Sequence, residues 1–138
     1  MFTHQLSKEV DRFGVSFSAF AEAHYLKKFR KKYKGKIWEV TENSIIFDLA
    51  RISNNLQNTQ QVDELKSDGE RWLFKYDFAI AKSGKSPKKS GNRCVCLLDI
   101  KKREIKILSI YSKDDLPKNM GETQWIREIC KNVDSGLN

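Results

Sequence analysis

The feature that most constrains the fold is a change in the period of the apolar residues near the middle of the chain. Before it, apolar residues recur every third or fourth position over about residues 19–34 and 37–56, which predicts two helices with one apolar face each. After it, large apolar residues, mostly aromatic, occupy every second position from Trp72 to Ile80, which predicts a strand. The chain therefore has to combine helices with a sheet.

Shorter signals complete the predicted order of elements. A short strand is predicted over 13–17, with Ser18 as the N-cap of the first helix. Gly35 ends that helix and leaves so short a link that the two helices should form an antiparallel hairpin. The remaining predictions are a polar loop or frayed helical turn over 57–70, a basic loop over 83–91, strands over 93–100 and 104–111 joined by a tight turn at 101–103, and a helix over 122–133.

These elements predict one domain that spans residues 1–138, a length typical of a single domain. We expect the α+β class, with the helical hairpin and a C-terminal helix packed on a small antiparallel sheet. Residues 1–12 are polar and mixed in charge, and we expect them to be disordered. Residues 122–138 should form the C-terminal helix and a tail.

Cysteine usage and hydropathy indicate the compartment. Residues 1–20 lack the apolar core of a secretory signal, and no stretch approaches the ~20 apolar residues of a membrane helix. We therefore expect a cytoplasmic protein without a membrane partner. Cys94 and Cys96 should be small core residues, and because Cys130 is far from them the spacing is poor for zinc. No metal and no cofactor is predicted.

The net charge of +8 is unevenly distributed along the sequence. Residues 39–70 hold seven acidic and two basic residues, a net charge of −5, so the rest of the chain carries +13. Such a surplus favours a polyanionic partner, nucleic acid first. One basic cluster winds around the first helix at 27–36 and fits a solvated surface equally well. The other covers the predicted sheet and its loops: Lys82, Lys85, Lys88, Lys89, Arg93, Lys101, Lys102, Arg103, Lys106 and Lys113. We expect the charges of this second cluster to act at one place.

The residue types of the second cluster indicate one kind of chemistry. The sequence has no P-loop, no dinucleotide fingerprint and only two histidines, which argues against a histidine-pair nuclease. A surface of Lys, Arg and Tyr can still cleave RNA through its 2′-hydroxyl: cations stabilise the phosphorane, a lysine of depressed pKa takes one proton, and Tyr or Lys gives another. The candidate catalytic residues lie at strand ends that could converge: Arg93, Lys82, Lys113 and Tyr111.

Three segments carry a family resemblance: 75–82, 90–99 with Gly91-Asn92-Arg93, and 104–115. Together with two preceding helices they resemble the RelE/ParE superfamily of bacterial type II toxins, over roughly residues 13–116. In that superfamily a Gly-x-Arg opens a strand, and an Ile/Leu strand ends in an aromatic or basic cluster. The resemblance implies a RelE-like fold and a toxin that is neutralised by a cognate antitoxin protein. In the RelE branch it implies metal-independent mRNA cleavage on the ribosome.

The resemblance also implies roles for individual residues. Arg93 matches the strand-opening arginine that contacts the scissile phosphate. Lys113 matches the basic residue after the last strand, and Lys82 the lysines of the preceding strand. Tyr111 stands in for a C-terminal catalytic Tyr or His that has no counterpart past Asp115. Further lysines are predicted to bind RNA: Lys75, Lys85, Lys88, Lys89 and Lys106.

Two other functions stay open from the sequence. A ParE-like member would inhibit DNA gyrase instead of cleaving mRNA. A non-catalytic RNA-binding domain would use the aromatic strand at 72–80 and the basic loops, although those aromatic residues are more simply the core face of the sheet.

Overall fold

The computed structural model describes residues 12–52 and 61–132. The N-terminal segment that we predict to be disordered lies outside the described residues, except for Arg12. Residues 53–56, the predicted end of the second helix, and the tail after 132 also lie outside them. The strands are β1 (Gly14–Phe17), β2 (Val62–Ser67), β3 (Arg71–Phe78), β4 (Asn92–Asp99) and β5 (Glu104–Ser112). The helices are α1 (Ala19–Ala21, the π-helical segment Glu22–Leu26, and Lys27–Lys32), α2 (Lys36–Ala50), α3 (Pro87–Ser90) and α4 (Glu122–Asn132).

The domain is of the α+β class and is built around a five-stranded sheet in the order β1-β5-β4-β3-β2. Strands β3, β4 and β5 pair antiparallel with one another, as the sequence predicts. Strand β2 pairs antiparallel with β3, but β1 runs parallel to β5. The sheet is therefore mixed. Backbone bonds fix β1 there: Gly14 donates its N–H to the carbonyl of Arg103 at 2.9 Å, and Ser18 donates to Ile107 at 2.9 Å.

Strand β2 occupies part of the stretch that we predict as a loop or helical turn, and that prediction is wrong for Val62–Ser67. The strand lies at the edge of the sheet, pairs only with β3 among the described residues, and contains an irregularity between Glu64 and Lys66. Most of its side chains are exposed, so it lacks the alternation of apolar residues by which a half-buried strand is recognised.

The helical hairpin covers one face of the sheet and forms the larger core. Ser18 caps α1 as predicted, since its Oγ accepts the N–H of Ala21 at 3.0 Å. Tyr76 is buried and donates to Asp48 Oδ2 at 2.8 Å, which joins β3 to α2. The buried core residues on this side come from all of these elements: Leu26, Phe29, Trp38, Ile45, Leu49, Phe74, Tyr76, Phe78, Cys94, Cys96, Ile105, Ile107 and Ile110.

Helix α4 packs on the opposite face and forms a second, smaller core with Leu73, Val95 and Leu108 from the strands. Its own buried residues are Ile126, Ile129 and Cys130. The pairing of β4 with β5 shifts by one residue after Val95, so β5 carries an extra residue at Leu108. This bulge changes the alternation of β5, so both Leu108 and Tyr111 face α4. No helix in the described parts of the chain is long and apolar enough to cross a membrane.

Candidate functional site at the α4 face of the sheet

Three polar residues form a row across the sheet beneath α4. Asp77 on β3 is the register partner of Arg93 on β4, and Arg93 is the partner of Tyr111 on β5. Register partners bring their side chains within direct contact of one another. Arg93 Nε accordingly lies 3.2 Å from Asp77 Oδ1. The antiparallel pairing of β3, β4 and β5 therefore places the carboxylate of Asp77, the guanidinium of Arg93 and the phenol of Tyr111 side by side.

The first residue of α4, Glu122, closes this row from above. Arg93 donates from Nη1 to both carboxylate oxygens. Tyr111 donates its hydroxyl to Oε2 at 2.8 Å, and Lys75 on β3 donates Nζ to Oε1 at 3.3 Å. A carboxylate in the first turn of a helix also interacts favourably with the helix dipole. One carboxylate thus accepts hydrogen bonds from all three central strands.

The contacts with Glu122 shift several pKa values. Burial would raise the pKa of Glu122, but hydrogen bonds from Arg93 and Tyr111 and the charge of Lys75 outweigh it and hold that pKa below its usual range. Burial and the hydrogen bond to Glu122 raise the pKa of Tyr111, so its phenol stays protonated at neutral pH. Burial opposes the charge of Arg93, yet its bonds to Glu122 and the neighbouring Asp77 raise the pKa of the guanidinium. Asp77 itself has a raised pKa because burial outweighs the charges of Arg93 and Lys75.

Exposed lysines surround the end of the sheet next to this row. Phe78, Asn92 and Ser112 are register partners, so the loops after β3, before β4 and after β5 leave the sheet at one end. Backbone and side-chain bonds fix these loops: Lys113 donates its N–H to the carbonyl of Gly91 at 2.7 Å, and Ala81 donates to Thr41 Oγ1 at 2.9 Å. We call the five exposed lysines of these loops the lysine rim: Lys82, Lys85, Lys88, Lys89 and Lys113.

The structure brings some of the predicted site residues together. Arg93 and Tyr111 meet at Glu122, and so does Lys75, which also lies 3.5 Å from Asp63. The other two predicted catalytic residues belong to the rim. The structure shows no hydrogen bond or ion pair of the Lys82 or Lys113 side chain within 12–52 and 61–132.

Other members of the predicted basic cluster lie elsewhere. The turn at 101–103 joins β4 to β5 at the opposite end of the sheet, and Lys106 is the partner of Leu97 near that end. Eight residues of strand span about 25 Å, more than the Debye length of about 8–10 Å at physiological salt. The prediction that the charges of this cluster act at one place is therefore wrong, because its two groups lie at opposite ends of the sheet.

Sequence reasoning missed both carboxylates of the site, Asp77 and Glu122. Asp77 is the one acidic residue in 71–93, a stretch that holds seven basic residues, and that contrast was the available signal. Glu122 lies in a stretch of mixed charge, where charge counting gives no such signal. Glu122 also follows Gly121 at the start of a predicted helix, where acidic residues are favoured for structural reasons alone.

A groove lies beside Glu122, between α4 and the strands β2 and β3. It has a volume of about 520 Å³. Its lining is partly apolar, with Leu65, Leu73 and Ile126, and partly basic, with Lys66, Lys75, Arg127 and Lys131. One long side of α4 is thus open to solvent along this groove, while the other packs on the sheet.

Histidine, cysteine and carboxylate side chains in the described ranges form no group of three or more that could hold a metal ion. The chain matches no protein-family model and has no significant match among curated proteins or solved structures.

Proposed function

We propose that this protein is the toxin of a bacterial type II toxin–antitoxin module, a RelE-like mRNA endoribonuclease that acts on the ribosome without a metal ion. The observation that carries the proposal is the position of Arg93. It stands second after Gly91 at the start of β4, in the Gly-x-Arg motif of the resemblance, with Tyr111 beside it and the lysine rim at the same end of the sheet.

The order of the elements supports the same proposal. A strand and a helical hairpin precede the antiparallel strands β3, β4 and β5, which is the order that the resemblance requires. Strand β2 and helix α4 are additions to that pattern. The two elements lie on either side of the groove and leave the lysine rim uncovered.

The chemistry assigned to the site uses the 2′-hydroxyl of the RNA as nucleophile. Arg93 stabilises the negative charge that develops on the pentacoordinate phosphate. Tyr111 is the candidate donor of a proton to the leaving 5′-oxygen once its hydroxyl is released from Glu122. Lys82 and Lys113 are exposed on the rim. One binds the flanking phosphate as an ammonium, and the other, in its neutral amine form, takes the proton of the 2′-hydroxyl. The products are a 2′,3′-cyclic phosphate and a 5′-hydroxyl.

The test is cleavage of a defined mRNA by the purified protein on programmed ribosomes, with analysis of the RNA ends. We expect cyclic-phosphate ends from the wild type, and a loss of at least about 10-fold in rate for Arg93→Lys, which keeps the charge but loses the forked donor geometry. Lys82→Ala/Lys113→Ala should lose as much. Lys102→Ala, at the opposite end of the sheet, is the matched control and should cleave like the wild type.

Two outcomes would overturn the proposal. Intact mRNA together with inhibition of gyrase supercoiling would establish the ParE-like alternative. Equal cleavage by the wild type and both site variants would place the activity elsewhere, or in a contaminant.

The lysine rim supports non-catalytic RNA binding as a second candidate function. Its five exposed cations need no rearrangement to contact a phosphate backbone. If all five bind a single strand, the logarithm of the affinity should fall with the logarithm of the salt concentration with a slope of roughly −3 to −4. Binding with that slope and no cleavage, on or off the ribosome, would favour this candidate. An acidic segment of a cognate antitoxin would neutralise either activity by covering the same lysines.

A further inference from the structure

We infer that Glu122 occupies the position of the substrate phosphate, so that α4 is an inhibitory segment of the chain that has to move before RNA can bind Arg93. The inference rests on the proposed function and concerns the regulation of the same site. It starts from the fact that the donors assigned to the phosphate are already used by a carboxylate of the protein itself.

The donor set around Glu122 is that of an anion-binding site. Arg93, Tyr111 and Lys75 come from three different strands, and all donate to the two oxygens of this one carboxylate. Arginine recognises carboxylates and phosphates by the same charge-assisted bonds. A phosphate and Glu122 cannot occupy this position together, because the two negative charges would share the same cations.

The anion site does not need α4 to hold its shape. Arg93 contacts Asp77 on the neighbouring strand at 3.2 Å, and Tyr111 belongs to the central strand β5. Both residues are therefore positioned by the sheet. When Glu122 leaves, the guanidinium keeps its ion pair with Asp77, while its Nη1 becomes available to a ligand.

The packing of α4 is suited to movement as one unit. The helix is attached to the sheet by one buried stripe, Ile126, Ile129 and Cys130, while its other flank borders the groove. The ring of Trp125 lies 6.1 Å from that of Tyr111 and 5.6 Å from that of Tyr25 on α1. These two ring contacts mark the position of α4 in which Glu122 is bound to Arg93. Glu122 adds its ion pairs to this stripe at the end nearest Arg93.

The alternative role of Glu122 is that of a general base, and the two roles predict opposite results for Glu122→Gln. A lost base slows cleavage. A lost inhibitory carboxylate increases RNA affinity, because the neutral amide competes less well with phosphate for Arg93. Glu128→Gln is the matched control, since it changes the same helix by the same chemistry at a residue whose partner is Lys131.

The experiment measures the affinity of the full-length wild type, Glu122→Gln and Glu128→Gln for a short RNA with 2′-O-methyl groups, which cannot be cleaved. We expect Glu122→Gln to bind at least about 10-fold more tightly than the wild type, and Glu128→Gln to bind like the wild type. Amide hydrogen exchange is measured on the same proteins. In α4 it should be about 10-fold faster in Glu122→Gln than in the wild type, while exchange in β4 and β5 should not change. In the wild type itself, α4 should exchange faster than β4 and β5.

Each result decides between the two proposals. The inhibitory role is overturned if the wild type and Glu122→Gln bind the RNA with equal affinity. It is also overturned if the amides of α4 exchange no faster than those of the whole sheet. Either result leaves the proposed function standing. Slower cleavage of an unmodified mRNA by Glu122→Gln with unchanged affinity assigns Glu122 as the base. RNA binding by none of the three proteins also overturns the inhibitory role, whereas the proposed function is decided separately by the cleavage assay on programmed ribosomes.

Discussion

Asp77 and Arg93 face each other across β3 and β4, with Oδ1 and Nε 3.2 Å apart and only 15% and 16% of their side chains exposed. Glu122 approaches the same guanidinium from α4. Arg93 therefore lies between two carboxylates of different origin. One is fixed to the sheet by strand register, whereas the other belongs to a helix whose position depends on a small core.

Removing the guanidinium should destabilise the fold. Arg93→Met leaves Asp77 and Glu122 half-buried without their shared cation, and we expect the free energy of unfolding to fall by about 2–3 kcal/mol. Urea denaturation at neutral pH measures the change. Arg127→Met, at an exposed position on α4, is the control and should cost less than about 0.5 kcal/mol. An equal effect of both substitutions would contradict the role of Arg93 in this cluster.

The pKa of Glu122 predicts how stability depends on pH. The pKa of Glu122 is lower in the folded state than in the unfolded state. Its contribution to the free energy of unfolding is therefore complete above the pKa of an unfolded glutamate, about 4.3, and is lost as the pH falls through the folded-state pKa. Asp77 acts with the opposite sign, because its raised pKa makes protonation favour the folded state. The stability difference between the wild type and Glu122→Gln should therefore be largest above pH ~5 and should shrink in acid. Unfolding in urea from pH 3 to pH 7 measures it, and a difference independent of pH would refute this assignment.

The parts of the fold that sequence reasoning predicted are those with a strong local period. The strand that contains Trp72, Phe74 and Tyr76 and the helix that starts at Glu122 were each predicted to within two residues. Their apolar faces are buried in two different cores, and burial is what creates the period.

The parts that were missed depend on contacts between distant residues. Nothing in the sequence of Gly14–Phe17 specifies a parallel partner in β5. The pairing depends on how the helical hairpin packs on the sheet, which positions β1 beside a strand about 90 residues later in the chain. The bulge at Leu108 brings Tyr111 to the α4 face, and no local pattern predicts it. Glu122 was missed for a related reason. The distribution of charge along the sequence predicts which cations lie near the sheet, but it does not predict that a helix places a carboxylate among them.

The turn before β4 requires a glycine at position 91. Gly91 has φ of +75°, a left-handed conformation, and an added Cβ would meet Lys113 Cβ at 3.7 Å, an ordinary contact. Backbone strain is thus the main cost of Gly91→Ala, and we expect about 1–2 kcal/mol of lost stability in thermal or urea unfolding. Gly14→Ala, at an exposed position of the edge strand β1, has no positive φ, and its added Cβ meets only the carbonyl oxygen of Arg103 at 3.9 Å, so it serves as the control and should be close to neutral. A neutral Gly91→Ala would show that the turn can adopt another conformation.

Thr41 links the helical hairpin to the turn that carries Lys82, and its substitution tests that link. The residue is 2% exposed, and its hydroxyl donates to the carbonyl of Ile37 at 2.8 Å while accepting the N–H of Ala81 at 2.9 Å. Thr41→Val keeps the shape but removes the acceptor, so the N–H of Ala81 loses its partner and the free energy of unfolding should fall by about 1–3 kcal/mol. Ser44→Ala, at an exposed position of α2, should change stability by less than about 0.5 kcal/mol in the same urea titration. Because Ala81 directly precedes Lys82, faster amide exchange in Thr41→Val should be concentrated around residues 79–84. Exchange that accelerates equally throughout the sheet would contradict a local role for this hydroxyl and assign it to the core as a whole.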